Sequence, residues 1–123
     1  MVVILENQTN LQGGSSPNEG NIYIDEIPIC SGSFHWEEAD VVCRELGYNN
    51  TLSYFQRSSF GEVPNWFLNT WTNFNCHGDE ASLGNCSHEE DGECIEDSGV
   101  GVVCSHEHHG NFVVIYIMNA NIK

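Results

Sequence analysis

Apolar positions recur at helical spacing in only one stretch of the chain. Ala39, Val42, Cys43 and Leu46 stand at i, i+3, i+4 and i+7, which predicts an amphipathic helix over residues 36–46. Glu37, Glu38 and Asp40 crowd its first turn, where the helix dipole favours anions. Gly47 follows as the natural stop just past its end. Elsewhere the pattern is that of strands and turns. Residues 21–24 (Asn-Ile-Tyr-Ile) follow the turn-rich run 13–20 and read as a strand, paired across a tight Asp25–Glu26 turn with residues 27–30. Pro28 lacks an N–H, so its strand belongs at an edge or in a position where no donor is needed. Residues 101–104 read as a buried strand, and the β-branched and aromatic run 112–118 as another.

Length and charge narrow the choice of class. The chain's 123 residues make one domain with tails: an N-terminal strand extension over 1–10, a central domain over 11–105 that holds all six cysteines, and a C-terminal segment over 106–123. Eighteen acids against three bases give a formal charge of -15, which argues against nucleic acid or an anionic membrane as partner. The longest apolar run, 112–118, is too short to span a bilayer, so no membrane insertion is expected of this chain. No secretory leader is visible at residues 1–5, which lack a basic start.

Six cysteines, Cys30, Cys43, Cys76, Cys86, Cys94 and Cys104, suggest three disulfides and an oxidising compartment. Zinc is the rival reading, but no two cysteines show the C-x2-C spacing of a zinc ribbon. Sequons at Asn7, Asn49 and Asn85 agree with a secreted or cell-surface glycoprotein.

Five ordered segments carry a family resemblance: 13–20, 39–48 (Ala-Asp-Val-Val-Cys-Arg-Glu-Leu-Gly-Tyr), 59–61 (Ser-Phe-Gly), 76–86 and 101–105. Together they resemble a scavenger receptor cysteine-rich (SRCR) domain of the six-cysteine type. The resemblance implies an α+β fold, a small disulfide-rich domain in which a curved antiparallel β-sheet cradles one main α-helix, with long loops. Extra strands at both termini would lie outside it. It also implies the pairing Cys30–Cys94, Cys43–Cys104 and Cys76–Cys86, which spacing alone leaves open. The first two bridges would close loops of about 60 residues, worth on the order of 4 kcal/mol each, and the third a short loop worth about 3 kcal/mol.

The chain departs from the family pattern where members usually bind calcium. Ser31-Gly32 replaces two aspartates after the first cysteine, and residues 71–75 carry no acid before the third. Glu80 remains, with Asp79 beside it. No cofactor is required, but calcium needs six to eight oxygen ligands, and Asp79, Glu80, Asp91 and Glu93 are the candidates. The alternative for the acids Glu89, Glu90, Asp91, Glu93, Glu96 and Asp97 is a solvated acidic loop.

Other constellations are weaker. His106, His108 and His109 have metal-binding chemistry, against the plainer reading of a linker; His35, His77 and His88 are scattered. Trp36, Trp66, Trp71, Phe60, Phe67 and Phe74 read mostly as core, with residues 63–68 long enough to present an aromatic anchor. No catalytic motif is found, so the chain is not expected to be an enzyme. The apolar ends need cover, either within the chain or by strand exchange between subunits through Phe112, Val114, Tyr116 and Met118. The expected function is extracellular recognition of a protein or glycan ligand. The alternative is a structural subunit of a homo-oligomer or filament assembled through its terminal strands.

Overall fold

A computed structural model of the chain describes residues 8–56, 59–61, 70–92 and 99–106. The helix α1 spans Trp36–Glu45, with His35 as its N-cap. The His35 N–H donates to Glu38 Oε1 at 2.8 Å, satisfying one donor of the first turn. At the other end the Gly47 N–H reaches the Arg44 carbonyl at 3.0 Å and the Tyr48 N–H the Cys43 carbonyl at 2.9 Å. That paired return is a Schellman stop, and it needs the positive φ of 95° that Gly47 supplies.

The main sheet is antiparallel. Its strands are β1 (Thr9–Gly13), β2 (Glu19–Ile24), β3 (Ile27–Pro28), β4 (Asn50–Phe55) and, late in the chain, Gly101–Ser105. A separate pair is formed by β5 (Thr70–Asn75) and β6 (Ser87–Gly92), so the Gly101–Ser105 strand is β7. The order is β1-β2-β7-β4, with β3 alongside the second half of β2. Asp25 and Glu26 make the β2–β3 turn at φ of 51° and 70°, the left-handed backbone that a two-residue hairpin requires. Pro28 sits in the two-residue strand β3, whose partner is β2. β1 begins at Thr9, so the ordered sheet crosses the boundary that composition placed between residues 10 and 11.

Register explains which side chains meet the helix. Directly paired residues in an antiparallel ladder share a face. Leu11 pairs with Ile22, Thr51 with Cys104 and Tyr54 with Val102, and this is the face that turns to α1. Ile22, Ile24, Val102 and Cys104 from the sheet and Val100 just before β7 join Ala39, Val41, Val42 and Cys43 from the helix in one core, with Phe34, Phe74 and Leu83 also part of it. The opposite face carries Asn21 opposite Gly101 and Val103 opposite Ser53. Phe60 lies over it. A Cβ on Gly101 would stand 2.7 Å from the Phe60 ring, and one on Gly13 2.1 Å from the Phe60 carbonyl oxygen, so both glycines make room for the 59–61 turn.

Two disulfides brace this frame. Cys43–Cys104 joins α1 to β7 with Cα atoms 5.5 Å apart, and Cys76–Cys86 closes the loop between β5 and β6 with Cα atoms 4.9 Å apart. Cys30 is also disulfide-bonded; its expected partner Cys94 lies outside the described residues. No helix among the described residues is long and apolar enough to cross a membrane.

Candidate functional site

The bridged loop 76–86 hangs on the helix by side chain–backbone hydrogen bonds. Glu38 is a carboxylate in the core, only 3% exposed. Its Oε1 caps the helix start, and its Oε2 accepts the Cys76 N–H at 2.8 Å. Two turns along, Glu45 Oε1 accepts the Leu83 N–H at 2.9 Å. Between them Arg44 Nη2 donates to the Glu80 carbonyl at 2.5 Å. The sequence places Glu38 in the first turn, where the helix dipole favours an anion. The structure makes it an internal strut, because Glu38, Val42 and Glu45 share one face at i, i+4 and i+7. A glutamate inside the apolar stripe was the available signal.

Within that loop, Asp79 and Glu80 have different roles. Glu80 accepts the His77 N–H at 2.8 Å and the Gly78 N–H at 3.0 Å, which ties the turn together. These bonds, the one from His77 foremost, hold its pKa below the ordinary 4.5. His77, Asp79 and Glu80 bring one ligand atom each within 4.8 Å of one another. The Glu80 carboxylate is thus engaged by two backbone N–H groups, and the Arg44 guanidinium sits at its carbonyl. The side chain of Asp91, and Glu93 altogether, lie outside the described residues.

The acidic run after Cys86 is not a loop throughout. Residues 87–92 form β6, paired with β5 through Thr72 opposite Glu89 and Asn75 opposite Ser87. Glutamates are poor strand formers, so the pairing needs another source of stability. His88 provides it. Its ring stacks on Trp71 with centroids 4.2 Å apart and planes 9° apart, and lies 5.5 Å from Phe74. Nδ1 is 2.6 Å from the Cys86 carbonyl and Nε2 3.2 Å from Glu90. His88 is therefore a packing residue of the β5–β6 pair, not one of a scattered set. Asn73 also donates to Glu89 across this pair.

Two open surfaces stand out among the described residues. One is a polar groove of 760 Å³ at the helix start, walled by Ser33, His35, Glu37, Asn73, Asn75 and His77, with Glu38 and Cys76 at its floor. The other is the seam between α1 and β4. Trp36, expected mostly in the core, is 49% exposed at the first helical position, with the Tyr54 ring edge-on at 5.0 Å. Leu52 is 55% exposed where the β4 register shifts. Trp71 and Phe74 pack on or in the core.

The remaining candidates are placed as follows. Asn49 is exposed beside the β7 exit, its side chain donating to the His106 carbonyl at 2.5 Å, and His106 packs on Tyr48 at 4.6 Å. Asn85 is exposed at the end of a short 3-10 turn, Leu83–Asn85. Asn7, Trp66, Phe67, Glu96, Asp97, His108, His109 and the assembly residues Phe112, Val114, Tyr116 and Met118 lie outside the described residues, as do the apolar residues 2–5.

This geometry defines a class: a small α+β domain, one helix on an antiparallel sheet, braced by disulfides, with its polar groups displayed on loops and strand ends. Comparison with known proteins says which one. The family model for the scavenger receptor cysteine-rich domain matches residues 12–105, and the chain belongs to that family. It is 38% identical over 104 residues to bovine lysyl oxidase homolog 2, covering 77% of this chain and 13% of that protein. It is 30% identical over 101 residues to a scavenger receptor cysteine-rich domain superfamily protein of Patiria pectinifera, covering 77% of this chain and 9% of that protein. Among solved structures, the third SRCR domain of murine neurotrypsin superposes with a TM-score of 0.66 at 24% identity, covering 82% of this chain and 98% of that domain. The chain spans only about an eighth of lysyl oxidase homolog 2, so the match carries the cysteine-rich region and shows no oxidase domain here. SRCR domains are in general extracellular, non-catalytic recognition modules.

Proposed function

We propose that this chain recognises a protein or glycan ligand outside the cell, through polar and aromatic side chains displayed on a rigid frame. The observation that carries the reading is the polar groove between the α1 start and β5. Its Ser33, His35, Glu37, Asn73, Asn75 and His77 offer donors and acceptors around a space of 760 Å³. An open, hydrogen-bonding groove suits an extended ligand rather than a small apolar one. The frame beneath it is fixed by Glu38 and by the Cys76–Cys86 bridge, so little ordering entropy is lost on binding. The -15 charge disfavours polyanionic ligands.

The test is a pair of arrays, one of purified extracellular proteins and one of glycans, probed with the oxidised full chain and with the same chain reduced and alkylated. Saturable binding that disappears on reduction is the expected result. Blank arrays with the oxidised chain would end the recognition reading.

A further inference from the structure

We infer that Asn49 is N-glycosylated before β4 joins β7, and that the hydroxyl of Thr51 serves that modification and not the fold. The inference goes beyond ligand recognition and needs only the extracellular class. Among the described residues, three buried side-chain polar atoms have no hydrogen-bond partner: Thr9 Oγ1, Asn21 Oδ1 and Thr51 Oγ1. Two of them are threonine hydroxyls, and each is the third residue of a sequon, 7–9 and 49–51. A buried hydroxyl without a partner destabilises a fold, and valine of the same shape would fill the site without that cost. Thr51 is 2% exposed in the ladder opposite Cys104, and the fold makes no use of its oxygen. A use before folding accounts for it, because a sequon is read through the hydroxyl of its third residue. Asn85 lacks this signature, since Ser87, the third residue of its sequon, is exposed.

The order of synthesis supplies the opportunity. The strand that covers Thr51 lies about fifty residues later in the chain, a delay of several seconds at ~5–20 residues per second. In the transfer, Asn49 Nδ2 forms a bond to the anomeric carbon of a saccharide. That carbon's bond to oxygen in a polyprenyl diphosphate donor breaks, the diphosphate leaves with the electron pair, and the nitrogen gives up one proton. The folded domain accommodates the product. Asn49 is exposed between α1 and β4, and the one amide hydrogen left on Nδ2 suffices for its bond to the His106 carbonyl. A cleft of 220 Å³ that Asn49 shares with Arg44 and Tyr48 gives the first sugar room. Asn49 follows the end of α1 and the polar groove lies at its start, about 15 Å away along the helix, so the glycan leaves the groove open.

The experiment has two arms. In the first, the full chain is secreted from cultured animal cells, and enzymatic release of glycans in heavy-oxygen water marks each occupied asparagine for peptide mapping. Asn49 is expected to be occupied in the parent and in Thr51→Ser, and empty in Thr51→Val. After glycan removal, Thr51→Val should melt at or above the temperature of the parent. In the second arm, sugar-free full chain is given to microsomal transferase with a lipid-linked saccharide, once oxidised and folded, once reduced and alkylated. The reduced chain should be modified at Asn49 at least about tenfold faster, because the folded chain exposes Thr51 only in its small unfolded fraction. An empty Asn49 in the secreted parent would overturn the inference. So would equal rates for the two forms, or a Thr51→Val that melts well below the parent, which would give the hydroxyl a structural role. Blank ligand arrays would leave the inference standing, and an empty Asn49 would leave recognition standing.

Discussion

Glu38 and Glu45 face the same way from α1, and each accepts a backbone N–H from the bridged loop. Glu38 matters more, because its partner Cys76 N–H is in the interior. Glu38→Ala leaves that donor and the His35 N–H without their carboxylate. The expected loss is about 3 kcal/mol of folding stability, since an unsatisfied buried group costs its full desolvation. Urea unfolding measures it, with exposed Glu37→Ala expected within about 0.5 kcal/mol of the parent. Glu80 gives a pH signature. Its folded pKa lies below the ordinary 4.5, so its contribution is fully present above that value and is lost as pH falls from there through the depressed pKa. The protection factors of the His77 and Gly78 amides, that is their exchange relative to the intrinsic rate at each pH, should therefore fall as pH drops from 4.5 through the depressed pKa. An NMR titration that leaves both amides equally protected at pH 2 and pH 6 would contradict this.

Elements are held together by cross-links as much as by contacts. Cys43–Cys104 spans 61 positions and welds α1 to the central strand β7. The double replacement Cys43→Ala, Cys104→Ala should cost about 4 kcal/mol, read as a lower denaturation midpoint. Cys76–Cys86 spans only 10 positions, and its removal should cost about 3 kcal/mol at most. The second loss should loosen residues 77–85 while α1 and the main sheet keep their amide protection, because the loop is still pinned by Glu38, Glu45 and Arg44. The β5–β6 pair is a different case. Its acidic strand pairs because His88 lies on Trp71, which compensates for residues that seldom form strands.

At the scale of the whole molecule, eighteen acids and three bases leave a surface that repels itself. Raising ionic strength from about 10 to about 200 mM shortens the Debye length well below the size of the domain, so the melting temperature should rise by a few degrees. A flat or falling salt dependence in calorimetry would mean that local ion pairs outweigh the net repulsion. The same excess charge disfavours polyanionic partners on electrostatic grounds.

Much of this was readable along the chain. The helix over 36–46 followed from a 3.6-residue period, its stop from Gly47, the β2–β3 hairpin from the turn at Asp25–Glu26, and the cross-linked extracellular class from six spaced cysteines and the family segments. These are local signals, set by backbone preference and by the order of residues. What could not be read is what depends on a partner distant in sequence. Glu38 became an internal strut only because Cys76 arrives 38 residues later. The acids after Cys86 became a strand only because β5 lies beside them, and Trp36 stands half exposed at the helix start while Phe34, two residues earlier, is buried. The chain by itself determined the elements and their cross-linkable points; the tertiary structure decided which polar groups are consumed inside and which are left outside to bind, because burial is a property of neighbours and not of residue type.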